Sequence, residues 1–197
     1  DVRGRITLPP VGEWRNYIRQ VVEHFKGRIR YYEIFNEPNG VMGAADYLIY
    51  CRSAYEEVKQ ADPAARVIGL CVTTDMGSMT DQFVSDFLKQ GGGKAMDIAS
   101  FHPYQGRELS SLTPADRYIE NFRNLLRKSG RDFPVWNTEL YYLYDVVSRE
   151  QSQRLCRPGH VAARFLTDLG EGVGQSIAVH GDQLWSNPHL LPVLAEN

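Results

Sequence analysis

The sequence alternates between short runs of apolar, β-favouring residues and longer segments that carry a helical apolar stripe. The apolar runs centre near residues 33, 69, 99, 136 and 177, a spacing of about 36 residues that suits a (β/α) barrel. Strands that alternate with helices usually pair in parallel, because each helix returns the chain to the edge where the previous strand began. The alternation therefore predicts an α/β protein with a parallel sheet.

The pattern predicts one helix, then four strand–helix units, then a final strand. The predicted helices are Glu13–Phe25, Ala44–Gln60, Asp81–Gln90, a segment that starts at Thr113 and stops at Gly130, and Gly159–Leu169. The predicted strands are Arg30–Phe35, Arg66–Cys71, Asp97–Phe101, Phe133–Thr138 and Gln175–His180. The glycine run 91–93 follows a helix rather than a strand, so it predicts helix termination and not a phosphate-binding loop.

Polar side chains follow several of the predicted strands at their C-terminal ends, namely Glu37, His102, Tyr104 and Glu139. Enzymes with the TIM-barrel fold, of roughly 250 residues, carry their active sites at such strand ends. A doubly wound sheet also fits the alternation, but it would need a glycine-rich turn after the first strand, and none occurs here. The sequence thus predicts one domain over residues 1–197, a partial (β/α)8 TIM barrel that lacks about the first three βα units.

Composition excludes several classes of protein. The chain has 197 residues, of which 43% are hydrophobic and 23% charged, as is ordinary for a soluble globular domain. Its net charge of −2 leaves no basic surface for nucleic acid, and no apolar run is long enough for a membrane span. The three cysteines, which are Cys51, Cys71 and Cys156, are widely spaced in apolar segments and predict buried free thiols.

Two stretches of similar design, Tyr31–Gly40 and Phe133–Tyr142, each place a glutamate where a buried strand stops. Two carboxyl groups that face each other across a sugar are the working pair of glycoside hydrolysis, about 5–5.5 Å apart for retention and about 6.5–9.5 Å apart for inversion. Taken singly, a glutamate at a strand end is more often an ion-pair partner or a cap. The hypothesis depends on Glu37, Glu139 and His102 all ending strands of one sheet.

Three short motifs carry a resemblance to a known group: Asn36-Glu37-Pro38, His102-Pro103-Tyr104 and Thr138-Glu139. They resemble the clan A retaining glycoside hydrolases, and YYEIFNEPN and VWNTE are most similar to the family 39-like branch. The resemblance implies a (β/α)8 barrel in which Glu37 is the general acid/base and Glu139 is the nucleophile. It also implies substrate contacts from Asn36, His102, Tyr104 and Trp185, and we add Tyr141 as a stacking aromatic after Glu139.

The leading prediction is a retaining β-glycosidase that acts on an oligosaccharide, polysaccharide or glycoside and needs no metal or cofactor. The five histidines show no metal-ligand spacing, and no serine-hydrolase turn occurs. One alternative is an inactive carbohydrate-binding barrel or scaffold, and another is an unrelated α/β protein with coincidental motifs. The cysteines leave the compartment open, and a polysaccharide substrate favours a secreted or periplasmic location.

Overall fold

The computed structural model describes residues 7–74, 77–103, 113–140 and 158–178. The helices in this part are α1 (Val11–Phe25), α2 (Ala44–Ala61), α3 (Ser78–Lys89), α4 (Thr113–Arg127) and α5 (Pro158–Gly170). The strands are β1 (Tyr31–Glu33), β2 (Arg66–Thr73), β3 (Ile98–His102), β4 (Val135–Leu140) and β5 (Gln175–Ala178). Two 3-10 turns, Pro38–Gly40 and Gly92–Ala95, complete the described elements. Among these helices, none has the length and apolarity to span a membrane.

The five strands form one sheet in the order β1-β2-β3-β4-β5, and every neighbouring pair is parallel. Because every neighbouring pair is parallel, the C-terminal ends of all five strands lie at the same edge of the sheet. The sheet with its helices forms part of a barrel, which confirms the α/β fold and the partial TIM barrel that the sequence predicts. The edge with the strand ends is the one that carries the candidate residues.

The main core lies between the outer face of the sheet and the helices. Phe101 of β3 stacks on Phe122 of α4 with ring centroids 4.7 Å apart, and both rings are buried. The predicted apolar stripes of α2, α3 and α4 contribute most of the helical side of this core. The glycine run after α3 ends that helix as predicted, because Gly91 has a φ of +87° that other residues rarely adopt.

A smaller apolar cluster occupies the inner face of the sheet, which is the face that a closed barrel encloses. It contains Ile68, Cys71 and Ile98, with Trp136 packed against them. The ring of Tyr31 lies 4.8 Å from the ring of Trp136, so the first and fourth strands of the sheet approach each other across this face. The sheet is therefore curved enough to bring side chains of distant strands together.

The first strand differs from the sequence prediction in length and burial. The sequence predicts a buried strand Arg30–Phe35, whereas β1 spans Tyr31–Glu33 and Tyr31 is 43% exposed. The prediction of burial was wrong because β1 is the edge strand of the described sheet and pairs there with β2. The strand is short because Phe35 adopts a φ of +65°, which takes the chain out of the extended conformation.

Two cysteines are free and buried, as the sequence predicts, and Cys156 lies outside the described residues. Burial raises the pKa of the Cys51 thiol to about 12, which keeps it protonated at neutral pH. Cys71 is also fully buried, and burial raises its pKa strongly. Both thiols are therefore protonated at neutral pH and pack as unreactive core groups.

A buried hydroxyl joins the end of β1 to the middle of β2. Tyr47 of α2 is fully buried, and its hydroxyl donates a hydrogen bond to the Ile34 carbonyl at 3.1 Å and accepts one from the Leu70 N–H at 2.9 Å. Leu70 has a φ of +73°, and the pairing of β2 with β3 shifts its register between Leu70 and Val72. The Tyr47 hydroxyl thus satisfies a donor and an acceptor at this irregularity.

We expect Tyr47→Phe to lower the free energy of unfolding by about 1–3 kcal/mol, because it leaves two buried backbone groups with an unmet hydrogen bond. Tyr32→Phe is the matched control, since the Tyr32 hydroxyl is buried and has no hydrogen-bond partner among the described residues. The control should change stability by less than about 0.5 kcal/mol. Urea unfolding of both variants measures the difference, and equal losses would contradict the bridging role.

Candidate active site

One buried imidazole lies at the centre of the polar strand ends. His102 ends β3, the middle strand of the sheet, and its side chain is fully buried. Its Nδ1 lies 3.0 Å from Oε1 of Glu37 and 3.9 Å from Oε2 of Glu139. Its Nε2 lies 3.2 Å from the hydroxyl oxygen of Thr138. The structure therefore brings together Glu37, His102 and Glu139, which the sequence proposes as site residues from three separate strand ends.

Glu37 is held by an irregular stretch of β2 and not by the ladder of β1. Its backbone is left-handed, with φ 48° and ψ 53°, and its N–H donates to the Cys71 carbonyl at 2.9 Å. Cys71 itself has a φ of +51°. Such conformations cost about 1–3 kcal/mol each for residues other than glycine, and they occur most often at functional sites. The bulge in β2 therefore fixes where the carboxyl group of Glu37 points.

The turn after Glu37 is tied to the end of β2 by Asn39. The side-chain amide of Asn39 donates to the Thr73 carbonyl at 3.0 Å, and its oxygen accepts the Thr73 N–H at 3.1 Å. The amide also donates to the Thr80 hydroxyl at 3.1 Å, and that hydroxyl donates to the Thr73 carbonyl at 2.7 Å. The side chain of Asn39 therefore makes the two hydrogen bonds with the Thr73 backbone that a residue of a neighbouring strand would make. These bonds hold the turn that begins at Pro38 against the end of β2.

Glu139 reaches the site because β4 changes register near its end. Asn137 faces the helices, where its amide donates to the Asp168 carboxylate at 2.7 Å. Strict alternation would turn Glu139 to that same side. The pairing of β4 with β5 shifts between Asn137 and Leu140, and Glu139 instead lies within 3.9 Å of His102.

The two glutamates are close to one another. One oxygen of Glu37, one oxygen of Glu139 and one nitrogen of His102 all lie within 4.8 Å of one another. The side chains of Glu37 and Glu139 are 29% and 24% exposed, so both are partly shielded yet reachable. The site therefore has two accessible carboxyl groups beside one buried imidazole.

A third glutamate, Glu33, lies in the candidate site, although the sequence alone does not single it out. It lies on the inner face of β1, with Oε1 4.0 Å from Nε2 of His102. Burial raises its pKa, while hydrogen bonds from the Thr138 hydroxyl and the Cys71 thiol and the nearby His102 act in the opposite direction. The signal in the sequence is the position of Glu33 two residues after Tyr31 and shortly before Glu37. Because side chains alternate along a strand, Glu33 and Tyr31 lie on the same face.

The remaining predicted contacts divide into two groups. Asn36 is exposed in the bend directly before Glu37. Tyr104, Tyr141 and Trp185 lie outside the described residues, and their roles stay predictions.

By residue type, Glu37, His102 and Glu139 could also surround a cation, since each offers a nitrogen or oxygen atom within the same 4.8 Å. The 3.0 Å contact between His102 and Glu37 has the length of a direct hydrogen bond. The predicted lack of a metal or cofactor stays a prediction.

Several solved structures share the fold of this chain. A family 39 glycoside hydrolase from Bacteroides cellulosilyticus WH2 matches with a TM-score of 0.62 and 22% identity, over 90% of this chain and 39% of that protein. A family 39 β-xylosidase from Caulobacter crescentus matches with a TM-score of 0.63 and 21% identity, over 85% of this chain and 38% of its own. A family 10 xylanase from Thermobacillus composti matches with a TM-score of 0.56 and 19% identity, over 87% of this chain and 56% of its own.

No protein-family model matches the chain, and no curated protein matches it. The chain spans less than half the length of the two family 39 structures. At these identities the likeness is one of fold, and it confirms the predicted resemblance at that level: the described strands and helices have the arrangement of part of the barrel in those structures.

The raised pKa of Glu33 predicts a dependence of stability on pH. Because the folded chain holds this proton more tightly than the unfolded chain does, the contribution of Glu33 is fully present below the ordinary glutamate pKa and is lost as pH rises through the raised value. Glu33→Gln removes this titration. We expect the stability of the variant relative to the wild type to increase as pH rises from about 4 through that window, since the ordinary glutamate pKa is about 4.3.

Urea unfolding at a series of pH values measures this difference. Glu23→Gln, on the exposed side of α1, is the matched control for the loss of a carboxyl group. A difference between Glu33→Gln and the wild type that stays flat or falls with rising pH would contradict the assignment.

Proposed function

We propose that this chain forms the catalytic half of a retaining β-glycoside hydrolase, with Glu37 as the general acid/base and Glu139 as the nucleophile. The observation that carries the proposal is the approach of a Glu37 oxygen and a Glu139 oxygen to within 4.8 Å at the C-terminal edge of a parallel sheet. That edge is where barrel enzymes place their catalytic groups.

The separation favours retention over inversion. An inverting enzyme needs room for a water molecule between the sugar and its base, which sets its carboxyl groups about 6.5–9.5 Å apart. A retaining enzyme needs direct contact between the nucleophile and the anomeric carbon, which brings the two groups to about 5–5.5 Å. The approach of one Glu37 oxygen and one Glu139 oxygen to within 4.8 Å supports the retaining mechanism.

The reaction would proceed in two steps. In the first, a carboxylate oxygen of Glu139 bonds to the anomeric carbon while the glycosidic C–O bond breaks, and Glu37 gives its proton to the departing oxygen. In the second, Glu37 takes a proton from water, and the water oxygen bonds to the anomeric carbon and displaces Glu139. Both glutamates return to their starting states, and two inversions give net retention.

The substrate class follows from the neighbours and from the site. One of the similar structures is a β-xylosidase and another is a xylanase, so a β-xyloside is the first substrate to test. The exposed Asn36, directly before Glu37, is placed to bind a sugar hydroxyl beside the acid. Because the chain spans under half of the family 39 structures, the activity is proposed for the complete protein that contains it.

In that complete protein, we expect Glu139→Ala to reduce the hydrolysis of an aryl β-xyloside by about 10³-fold or more, a barrier increase of about 4 kcal/mol. Glu37→Ala should spare 2,4-dinitrophenyl β-xyloside, because this leaving group departs without protonation, and should strongly slow a substrate with a poor leaving group. Initial rates on the two substrates measure the contrast.

Glu23→Ala is the control, since its side chain lies exposed on α1, outside the strand ends that form the site. Proton NMR of the first product formed gives the stereochemistry, and the β anomer is expected. Full activity in both active-site variants, or a wild type that cleaves no β-glycoside, would refute the proposed function. An α anomer as first product would refute retention alone.

A further inference from the structure

The side chain of His102 is completely buried, and each of its ring nitrogens lies at hydrogen-bond distance from a partner. Nδ1 faces Glu37 at 3.0 Å, and Nε2 faces the Thr138 hydroxyl at 3.2 Å. Three carboxyl groups surround the ring, since Glu33 approaches Nε2 at 4.0 Å and Glu139 approaches Nδ1 at 3.9 Å. The position of each proton in this group therefore decides which carboxyl group can act as an acid.

The direction of the hydrogen bonds can be traced from Glu33. When Glu33 is ionised, its carboxylate can only accept hydrogen bonds, so the Thr138 hydroxyl then donates its one hydrogen to Glu33. The oxygen of Thr138 then has only lone pairs to offer to His102, and Nε2 must supply the hydrogen of the 3.2 Å contact. Glu33 thus reaches the imidazole through one intervening hydroxyl group.

With a hydrogen on Nε2, the contact at Nδ1 needs a second proton. Nδ1 and Oε1 of Glu37 lie 3.0 Å apart, and a bare nitrogen beside a bare carboxylate oxygen would place two lone pairs against each other. A single proton between the two atoms removes that repulsion. It resides either on Glu37 as a carboxylic acid or on His102 as an imidazolium.

We propose that Glu33 and Thr138 are positioning residues for the general acid: they keep a hydrogen on Nε2 of His102, so that Nδ1 and Glu37 together retain the proton that the first step consumes. The proposal rests on the function proposed above and assigns roles to two residues of the same site.

This arrangement gives the two glutamates different environments. A retaining enzyme needs one carboxyl group protonated and the other ionised at its working pH. Glu139 lies 3.9 Å from Nδ1, beyond hydrogen-bond distance of that atom, whereas Glu37 lies 3.0 Å from it, at hydrogen-bond distance. Glu37 can therefore share a proton directly with Nδ1 of His102, whereas Glu139 is too far from the same nitrogen to do so.

The proton reaches the substrate by a small motion. Rotation about the terminal torsion of Glu37, which is soft for a carboxyl group, carries the proton from the side of His102 to the glycosidic oxygen. In the second step the proton released by water returns to Glu37 and restores the shared hydrogen bond. One proton leaves with the aglycone and one arrives from water, so the cycle balances.

Tautomer-sensitive NMR on the complete protein, labelled with ¹⁵N-histidine, tests the proposal without any substrate. Long-range proton–nitrogen correlations at about pH 7 should show a hydrogen on Nε2 of His102, and loss of the signal in His102→Gln identifies the residue. In Thr138→Val the hydrogen should move to Nδ1, where it can donate to Glu37. A wild-type ring with Nε2 bare would overturn the proposal.

Kinetics supply a second test. When Nδ1 carries its own hydrogen it stabilises ionised Glu37, so the acid loses its proton at a lower pH. The basic limb of the pH profile of kcat/KM should therefore move down by about one pH unit in Thr138→Val, a tenfold loss on that limb for a poor leaving group. Thr138→Ser keeps the hydroxyl and should restore the wild-type profile.

Glu33→Gln should shift the limb in the same direction, because an amide does not impose one direction on the Thr138 hydroxyl. Tyr32→Phe is the control, because Tyr32 directly precedes Glu33 in β1 and lies on the opposite face of the sheet. It should leave the pH profile of kcat/KM unchanged. If Thr138→Val and Glu33→Gln lower activity at every pH equally and for both kinds of leaving group, the residues are merely structural and the proposal is overturned. A wild type that cleaves no β-glycoside refutes the proposed function, whereas the NMR experiment still decides the position of the hydrogen on His102.

Discussion

The parallel pairing of the five strands is the constraint on which the site depends. Each strand runs in the same direction, so residues far apart in the chain end at one edge of the sheet. β3 lies in the middle, with β2 and β4 on its two sides, and this position explains why His102 is completely buried while Glu37 and Glu139 remain partly exposed. A buried imidazole between accessible carboxyl groups is a consequence of the strand order.

Local departures from regular strand geometry then orient the side chains of the site. Left-handed backbone at Glu37, Leu70 and Cys71 is costly, and it persists because specific partners stabilise it. The hydroxyl of Tyr47 satisfies the backbone at Leu70, and the carbonyl of Cys71 accepts the N–H of Glu37. The buried hydroxyl of Tyr47 thus supports the edge of the sheet that carries the site, and it links the packing of α2 to the position of Glu37.

Sequence reasoning reached the fold and most of the described site because both rest on repeating patterns. Apolar runs between helical stripes indicated the parallel sheet, and polar residues after those runs indicated the edge that carries Glu37, His102 and Glu139. It missed Glu33 because strand alternation puts Glu33 on the face of Tyr31 but does not reveal that this face is the inner one, toward His102. It also overstated the burial and length of β1, since neither the sheet edge nor the positive φ of Phe35 leaves a mark in composition.

By itself the sequence determined the order and type of the elements, because hydrophobic periodicity is a local property that packing then follows. It also determined which polar residues would lie at the C-terminal edge, because strand direction follows from the alternation with helices. Only the tertiary structure decided the distances of 3.0 Å and 3.9 Å that set Glu37 and Glu139 apart beside His102. Those distances depend on the register shifts in β2 and β4, which arise from contacts between strands and helices that no single segment of the chain specifies.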